Sequence, residues 1–580
     1  MASGTTDSSE RRLAFSRVGL GLAQGLVLYA LSEARNRVLG PVPFGVLAMV
    51  AMFAPVVVLG ALGGVRGRTL LIWTLAATTV LAVIGGYEAA MRWENPPPTL
   101  ARWPEPPFLL LIPPLLFVVH SLVLAADAEG RWWASYPRYF EVAWTSAVRV
   151  MLSLAFLGAF WLLIFIGAGL FSLIDVKVFW ETVREPVFAF PASGIVFAVA
   201  VHLTDRSANL VRGVRTLALG LLSWLGPVMT LIVLGFLATL PFTGLQPLWE
   251  TKRATGILLS AAAALTVLVN AAYQDGAPPV RVPMVLHWSG RIAALLLAPL
   301  VALAAVGVGL RIGQHGLTPE RVQAAAFVFV AAVYALGYFY AALRLGIWLR
   351  RVEATNLVAA HVAALILLAI LTPIGDPTRL SVANQLGRLA SGKVTSEAFD
   401  YAFLRFHAGR IGHEALEQLA RGEAAKPDTA RRAKAALAAS DSGDLIPAKP
   451  PRRIQARGKP LPADFIPENW GKGGENPFSA CAQASRDCIA WQRDLDGDAA
   501  EEVLIVGASE VRVYRRGAAR WELAGRLAPS YCEGVMDELE AGRFTVVDPR
   551  PAWREVMVGG IRLRLGQDLN SCGRETPPRP

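Results

Sequence analysis

About eleven apolar runs, each long enough to cross a bilayer, fill residues 14–374. A hydrocarbon core about 30 Å thick takes roughly 20 apolar residues at 1.5 Å rise per residue. Within it each backbone polar group must be satisfied inside its own segment, which leaves the α-helix as the form these runs can take. The approximate spans are 14–34, 41–63, 69–90, 107–126, 147–174, 186–204, 216–241, 254–274, 291–310, 322–343 and 355–374. The chain therefore reads as a polytopic α-helical membrane protein with a transmembrane domain over 1–375.

Beyond that domain the character changes. Residues 376–420 read as a helical extension, and 421–477, rich in Ala, Lys, Arg and Pro, as an extended linker. From 478 to 580 come short strand-like runs (CIAWQR, EEVLIVG, VRVYRR, RFTVV and IRLRL) separated by Gly, Asp and Pro. This pattern predicts a small C-terminal β-rich soluble domain.

The formal net charge is +11, but it is unevenly placed. Residues 1–375 hold 26 Lys+Arg against 17 Asp+Glu, and residues 376–580 hold 30 against 28. The excess thus lies in loops between spans, where it orients the chain in the membrane. No basic stripe with interleaved aromatics occurs, so no nucleic-acid partner is expected. With a cytoplasmic N-terminus the cytoplasmic flanks hold fifteen Lys+Arg and the opposite loops ten. Arg11 and Arg12 then anchor an uncleaved first helix, a reading preferred to a signal peptide. Eleven spans place the tail outside the cytoplasm.

Cysteine usage points the same way. Cys481, Cys488, Cys532 and Cys572 are the four cysteines of the chain, and all lie in the tail. Disulfides persist in oxidising compartments, so these are disulfide candidates of an exported domain. Four cysteines allow three pairings, and sequence does not choose among them.

Ionisable groups inside spans are costly, at least about 2.5 kcal/mol each at mid-bilayer. His120, His202 and His361 come from three different spans and fall in the cytoplasmic half under this topology. Arg149, Asp127, Asp205, Asn270 and Asp275 lie at or near the same level. Together they define a candidate polar cavity facing the cytoplasm; the competing account is hydrogen bonding between helices. Arg17 and Gln24 share a face of the first helix, and Glu88 stands near the outer end of the third span. The Pro- and Trp-rich loop from Trp93 to Pro107 and the segment Arg131–Glu141 read as interfacial anchors. No Walker loop, GxSxG, HExxH or CxxC is present, and no catalytic residue is assigned.

In the tail, DLDGDAAEE places Asp494, Asp496 and Asp498 at positions 1, 3 and 5 of a calcium-type loop, with Glu502 at position 9. Calcium takes six to eight hard oxygen ligands, which such a loop can begin to gather. It is not an EF-hand, since glycine falls at position 4. With the following run EEVLIVG it resembles a single FG-GAP (VCBS-type) calcium loop. The alternative is a solvated acidic turn whose carboxylates bond their own backbone. Calcium is the one cofactor the sequence raises.

Six stretches resemble the bacterial membrane family called domain of unknown function 4153. They are RVGLGLAQGLVLYAL (17–31), VHLTD (201–205), LPFTGLQPLW (240–249), NAAYQDG (270–276), TPIGDPTRLSVANQ (372–385) and FDYAFLRFHAGR (399–410). The resemblance covers about residues 11–420. It implies a multi-pass protein of the bacterial inner membrane and brings no catalytic residues with it.

The expected function is envelope sensing, assembly or transport, with an extracytoplasmic binding domain. The bilayer is the first partner, followed by envelope proteins or lipids. One rival is a secondary transporter, for which Pro113-Pro114 and Gly226-Pro227 are candidate helix breaks. The other is a lipid-linked membrane transferase.

Overall fold

The structure, a computed structural model, describes residues 3–34, 39–92, 103–251, 253–276, 283–344, 350–422, 427–440, 454–465, 477, 488–507, 510–517, 520–527, 534–546, 556–558 and 561–563. The chain divides into two compact units, 1–445 and 446–580.

The first unit is helical. Its membrane-length helices are α1 (Ser3–Ala34), α2 (Pro41–Ala61), α3 (Gly67–Met91), α4 (Pro106–Glu129) and α5 (Tyr136–Leu173). A short α6 (Val178–Arg184) precedes α7 (Pro186–Arg206) and α8 (Ala208–Thr243), and a short α9 (Gln246–Glu250) precedes α10 (Ala254–Tyr273). Then follow α11 (Met284–His315), α12 (Pro319–Leu343) and α13 (Val352–Ile370). Eleven of these are long and apolar enough to span a membrane, which makes this a multi-pass membrane fold. Proline sets several of the starts. Pro41, Pro106, Pro186 and Pro319 occupy first-turn positions, where a missing N–H costs nothing.

Two spans begin earlier than apolar length alone predicts. α5 takes in Tyr136–Glu141, because Tyr136, Tyr139 and Phe140 find buried positions there, leaving Trp132 and Trp133 exposed in the preceding turn. α8 starts at Ala208 and runs unbroken through Gly226-Pro227, as α4 does through Pro113-Pro114.

The tightest helix pairs are built on glycine. A Cβ at Gly21 would strike the Gly194 carbonyl between α1 and α7, and one at Gly45 would strike the Gly85 carbonyl between α2 and α3. In a bilayer, where apolar surface gains little by leaving lipid, such close backbone approach is what holds helices together. The main core joins α8, α10, α11 and α12 around Leu265, Leu297, Leu300 and Tyr338; a second joins α2, α3, α4 and α13.

After α13 the chain forms a helical cap: α14 (Pro377–Ala390), a π-helical turn (Phe403–His407), α15 (Gly409–Arg421) and α16 (Pro427–Ala438). Asp376 starts α14, its Oδ1 accepting from the backbone N–H of Thr378 at 2.7 Å and of Arg379 at 3.3 Å. Val382, Phe399, Leu404 and Leu416 form the core of the cap.

The second unit holds a five-stranded sheet in the order β1 (Ile454–Ala456), β2 (Cys488–Arg493), β3 (Glu502–Val506), β4 (Val511–Arg516), β5 (Trp521–Leu527). β1 pairs parallel to β2, and the rest form an antiparallel meander. β3 is buried along its whole length because both sheet faces are covered. Val503 and Ile505 pack with Phe465, Tyr514 and Trp521, while Leu504 and Val506 pack with Val511, Val513 and Met536 of α17 (Val535–Glu540). A separate hairpin pairs β6 (Val556–Val558) with β7 (Ile561–Leu563). Several features differ from the sequence expectation, among them β5, which was not read as a strand, and α16, which lies within the expected extended linker. Residues 454–465, assigned by composition to the linker, supply β1 and the buried Phe465. Residues 543–546 of the predicted strand RFTVV are not a strand, and Phe544 packs on the sheet face.

Candidate functional site

The membrane unit holds a half-open chamber of about 1750 Å³. Consecutive spans alternate direction, so the C-termini of α3, α11 and α13 and the N-termini of α4 and α12 meet at one end of the bundle. There Tyr87, Glu88, Phe108, Arg311, Arg321 and Ile370 line it. The cap closes over the same space with Asp376, Gln385 and Arg388 around α14, Phe403, Phe406 and His407 from the π-helical turn, and Ile411 from α15. Such π turns insert an extra residue and recur at functional sites.

The charges lining the chamber balance in number and separate in space. Five are cationic (Arg92, Arg311, Arg321, Arg388, Lys393) and five acidic (Glu88, Glu105, Glu320, Asp376, Asp400). Near α3 the acidic groups are tied together. Glu88 forms an ion pair with Arg92, and its Oε1 also accepts from the Glu105 backbone N–H at 3.1 Å. Oε2 of Glu88 is buried with no hydrogen-bond partner among the described residues, on a residue 3% exposed. Next to it the Tyr87 hydroxyl donates to Asp376 Oδ2. At the other end of α14 the Arg388 guanidinium donates to the carbonyls of Gly313 (3.4 Å) and Gln314 (2.9 Å), and Gln385 Nε2 donates to those of His315 (3.1 Å) and Leu317 (2.9 Å). These bonds satisfy the carbonyls that α11 leaves open at its C-terminus, and a cation there meets the negative end of the helix dipole.

None of the eight groups that sequence nominated for a cytoplasmic cavity lines this chamber, and Asp127 pairs with Arg66 at 2.8 Å. His202, Arg149 and Asp205 do come together, with Arg17: Asp205 pairs with Arg17 at 2.8 Å and Arg149 at 3.1 Å, and Arg17 Nη1 lies 3.4 Å from His202 Nδ1. Asn270 belongs to a second network, donating to Tyr338 Oη at 2.7 Å while accepting from Asn356 at 2.6 Å; Tyr338 in turn donates to Asn356 Oδ1. Asp275 sits in the turn after α10. His120 accepts from Trp73 Nε1 at 3.0 Å, and His361 stacks on Trp133 with ring centroids 4.6 Å apart. The groups thus fall into separate hydrogen-bonded clusters.

In the tail, carboxylate oxygens of Asp494, Asp496 and Glu502 lie within 4.8 Å of one another. Asp498 stands outside that set and accepts from the Ala500 N–H at 2.7 Å. The other three also cap backbone: Asp494 takes Gly497 N–H at 2.7 Å, Asp496 takes Asp498 N–H at 3.2 Å, and Glu502 takes Leu495 N–H at 2.7 Å. Cys488 opens β2, is buried and is not a free thiol. Cys481, Cys532 and Cys572 lie outside the described residues, as does Trp93, and no disulfide pair is found among the described ones.

Fold and site together define a multi-pass α-helical membrane protein with a capped polar chamber at one end of its bundle. The family described as Domain of unknown function (DUF4153) matches residues 25–422, more than half of the chain, and the protein belongs to that family. No curated protein and no solved structure matches it. Three of the stretches that carry the family resemblance border the chamber, contributing Trp249, Asp376, Gln385, Phe403 and His407.

Of the chamber residues the sequence reading singled out Glu88 as an ionisable group inside a span, and met others only within the Trp93–Pro107 loop and the quoted family stretches. Arg321, Arg388 and His407 look in sequence like ordinary helix-end charges. An acidic residue inside a span and the helix-starting Asp376-Pro377 pair were the signals available.

Proposed function

We propose that the chamber binds the polar headgroup of an amphipathic envelope ligand, and that the protein serves envelope sensing, assembly or transport through that binding. The observation that carries this reading is the chamber itself. Its volume exceeds the roughly 300–1,000 Å³ of ordinary small-molecule pockets, its span-derived walls include Phe108, Leu111 and Ile370, and its cap presents charge. That arrangement suits a molecule whose tail remains in lipid.

Orientation follows from the charge bias and from the cysteines of the tail. In this proposal the membrane is the bacterial inner membrane, the N-terminus is cytoplasmic, and the chamber and C-terminal domain face the periplasm. The buried Cys488 supports a disulfide-bearing exported domain, and the cluster of Asp494, Asp496 and Glu502 supports calcium as a structural ion. The transport reading would draw on the Arg17–Asp205 cluster instead, but α4 and α8 carry no break at their prolines. A lipid-linked transferase would use the same chamber and would differ by turning its ligand over.

The test is lipid retention by the full-length protein extracted in native lipid discs. Ala398→Trp, which fills the chamber from an exposed cap position, should lose a lipid species that wild type keeps. Leu231→Trp on the lipid-facing side of α8 should keep it. Identical lipid profiles for all three would end the proposal.

A further inference from the structure

We infer that one wall of the chamber is a phosphate site, in which Arg321 and Arg388 hold the phosphate of a lipid headgroup. The inference rests on the headgroup reading above and names the chemistry of that headgroup.

The argument begins with donors. A guanidinium carries five N–H groups in a rigid fork and accepts nothing. Among the described residues the Arg321 side chain uses one of them, Nη1 to the Gly316 carbonyl at 2.7 Å. Arg388 gives its two terminal nitrogens to Gly313 and Gln314, and its Nε is buried with no partner. Neither arginine forms an ion pair with a carboxylate among the described residues, although both are half-buried and line the chamber. Capping of α11 therefore accounts for part of the donor set, and Arg321, which uses one N–H group among the described residues, keeps the rest of its fork beside the chamber.

Charge strengthens the case. Arg311 and Arg388 stand close enough to Arg321 for their repulsion to act on it, and Glu320, an opposing charge that also acts on it, is exposed. Arg321 and Arg388 are like charges in a partly desolvated wall, with no carboxylate paired to either among the described residues, and an anion that joins them relieves their repulsion. A phosphate, with several acceptor oxygens, matches two arginine forks better than one carboxylate does. The wall lies where the spans end, which is the level of lipid phosphates.

The experiment is native mass spectrometry of the full-length protein in detergent with equimolar phosphatidic acid and diacylglycerol of the same acyl chains. These probes differ by the phosphate alone. Wild type should retain phosphatidic acid over diacylglycerol by about tenfold or more, since charge-assisted bonds to phosphate are worth at least that factor. The double variant Arg321→Gln, Arg388→Gln should bring the ratio near one. If the double variant does not fold, Arg321→Lys and Arg388→Lys, which keep charge but lose the fork, should each lower the ratio.

Equal retention of both lipids by wild type would overturn the phosphate inference and leave the headgroup reading standing. Protection against heat by inorganic phosphate, without retention of either lipid, would overturn the lipid source and the headgroup reading together. A wild-type preference unchanged in every arginine variant would overturn the assignment of the site to this wall.

Discussion

The Tyr87 hydroxyl, at the end of the third span, donates to Oδ2 of Asp376, the residue that starts the first helix of the cap. One carboxylate therefore both caps α14 and fastens it to the membrane bundle beside Glu88. Asp376→Ala removes both functions, and loss of the cap alone should cost about 0.5–2 kcal/mol. Asp376→Asn keeps an acceptor for the cap, and Tyr87→Phe removes only the tether. Hydrogen exchange across residues 377–390 should rise most in Asp376→Ala and less in the other two. Equal exchange in all three variants and wild type would mean that α14 is held by other contacts.

A second relationship lies between α1 and α7. Arg17, with a side chain 3% exposed, depends on Asp205 at 2.8 Å, and Arg149 shares the same carboxylate. Breaking a buried pair from one side leaves a charge stranded and costs about 3–5 kcal/mol. Asp205→Asn should therefore sharply lower the apparent melting temperature of the protein in lipid discs. Adding Arg17→Gln should recover part of the loss, because the stranded guanidinium is gone. A double variant as unstable as the sum of the singles would show that the pair does not act as a unit.

The spans were legible because apolar length is a local property that the bilayer enforces. The chamber was not, because Glu88 lies more than two hundred residues before Arg321, Asp376 and His407, and they meet through helix packing. His202 and Asp205, three residues apart on one helix, were read as polar neighbours, and the structure adds Arg17 from a helix far earlier in the chain. His120 and His361 instead find partners in Trp73 and Trp133, each on another element of the chain. In the tail β1 escaped notice because three residues, Ile454–Ala456, carry no alternation to read, and parallel pairing with β2 defines it. Trp521–Leu527 was missed as a strand because its outer half is exposed and polar.

Glycine packing gives a sharp contrast between positions. Gly85 meets the carbonyl of Gly45 and the Met49 side chain, whereas a Cβ at Gly220 meets nothing within 4 Å. Gly85→Val should force α2 and α3 apart and reduce the yield of folded protein. Gly220→Ala should be neutral or slightly stabilising, since alanine removes the backbone-entropy cost of glycine in a helix, about 0.5–1 kcal/mol. Size-exclusion profiles and melting curves of the two variants should diverge. A normal profile for Gly85→Val would mean that the contact yields without cost.

The acidic turn of the sheet domain can be judged by calcium itself. Asp494, Asp496 and Glu502 hold their oxygens within 4.8 Å of one another, and three carboxylates that close repel unless a cation or water relieves them. Their bonds to backbone N–H groups do not exhaust them, because an ionised carboxylate has about four lone-pair sites. Gly497 and Ala499, both at positive φ (80° and 68°), give the tight turn that brings Asp494 back toward Glu502. Extracellular modules bind calcium at about 10⁻⁴ to 10⁻³ M, so the ion must be tested at roughly 10 mM. At 100 times the dissociation constant a ligand that binds only the folded form stabilises it by about 2.7 kcal/mol. In the full-length protein, calcium should slow hydrogen exchange over residues 494–506, Asp496→Ala should abolish the effect, and sodium at matched ionic strength should not reproduce it. Asp498→Ala should keep most of the response, because Asp498 stands outside the cluster and caps Ala500. Exchange that is indifferent to calcium would leave the carboxylates as caps of their own turn and nothing more.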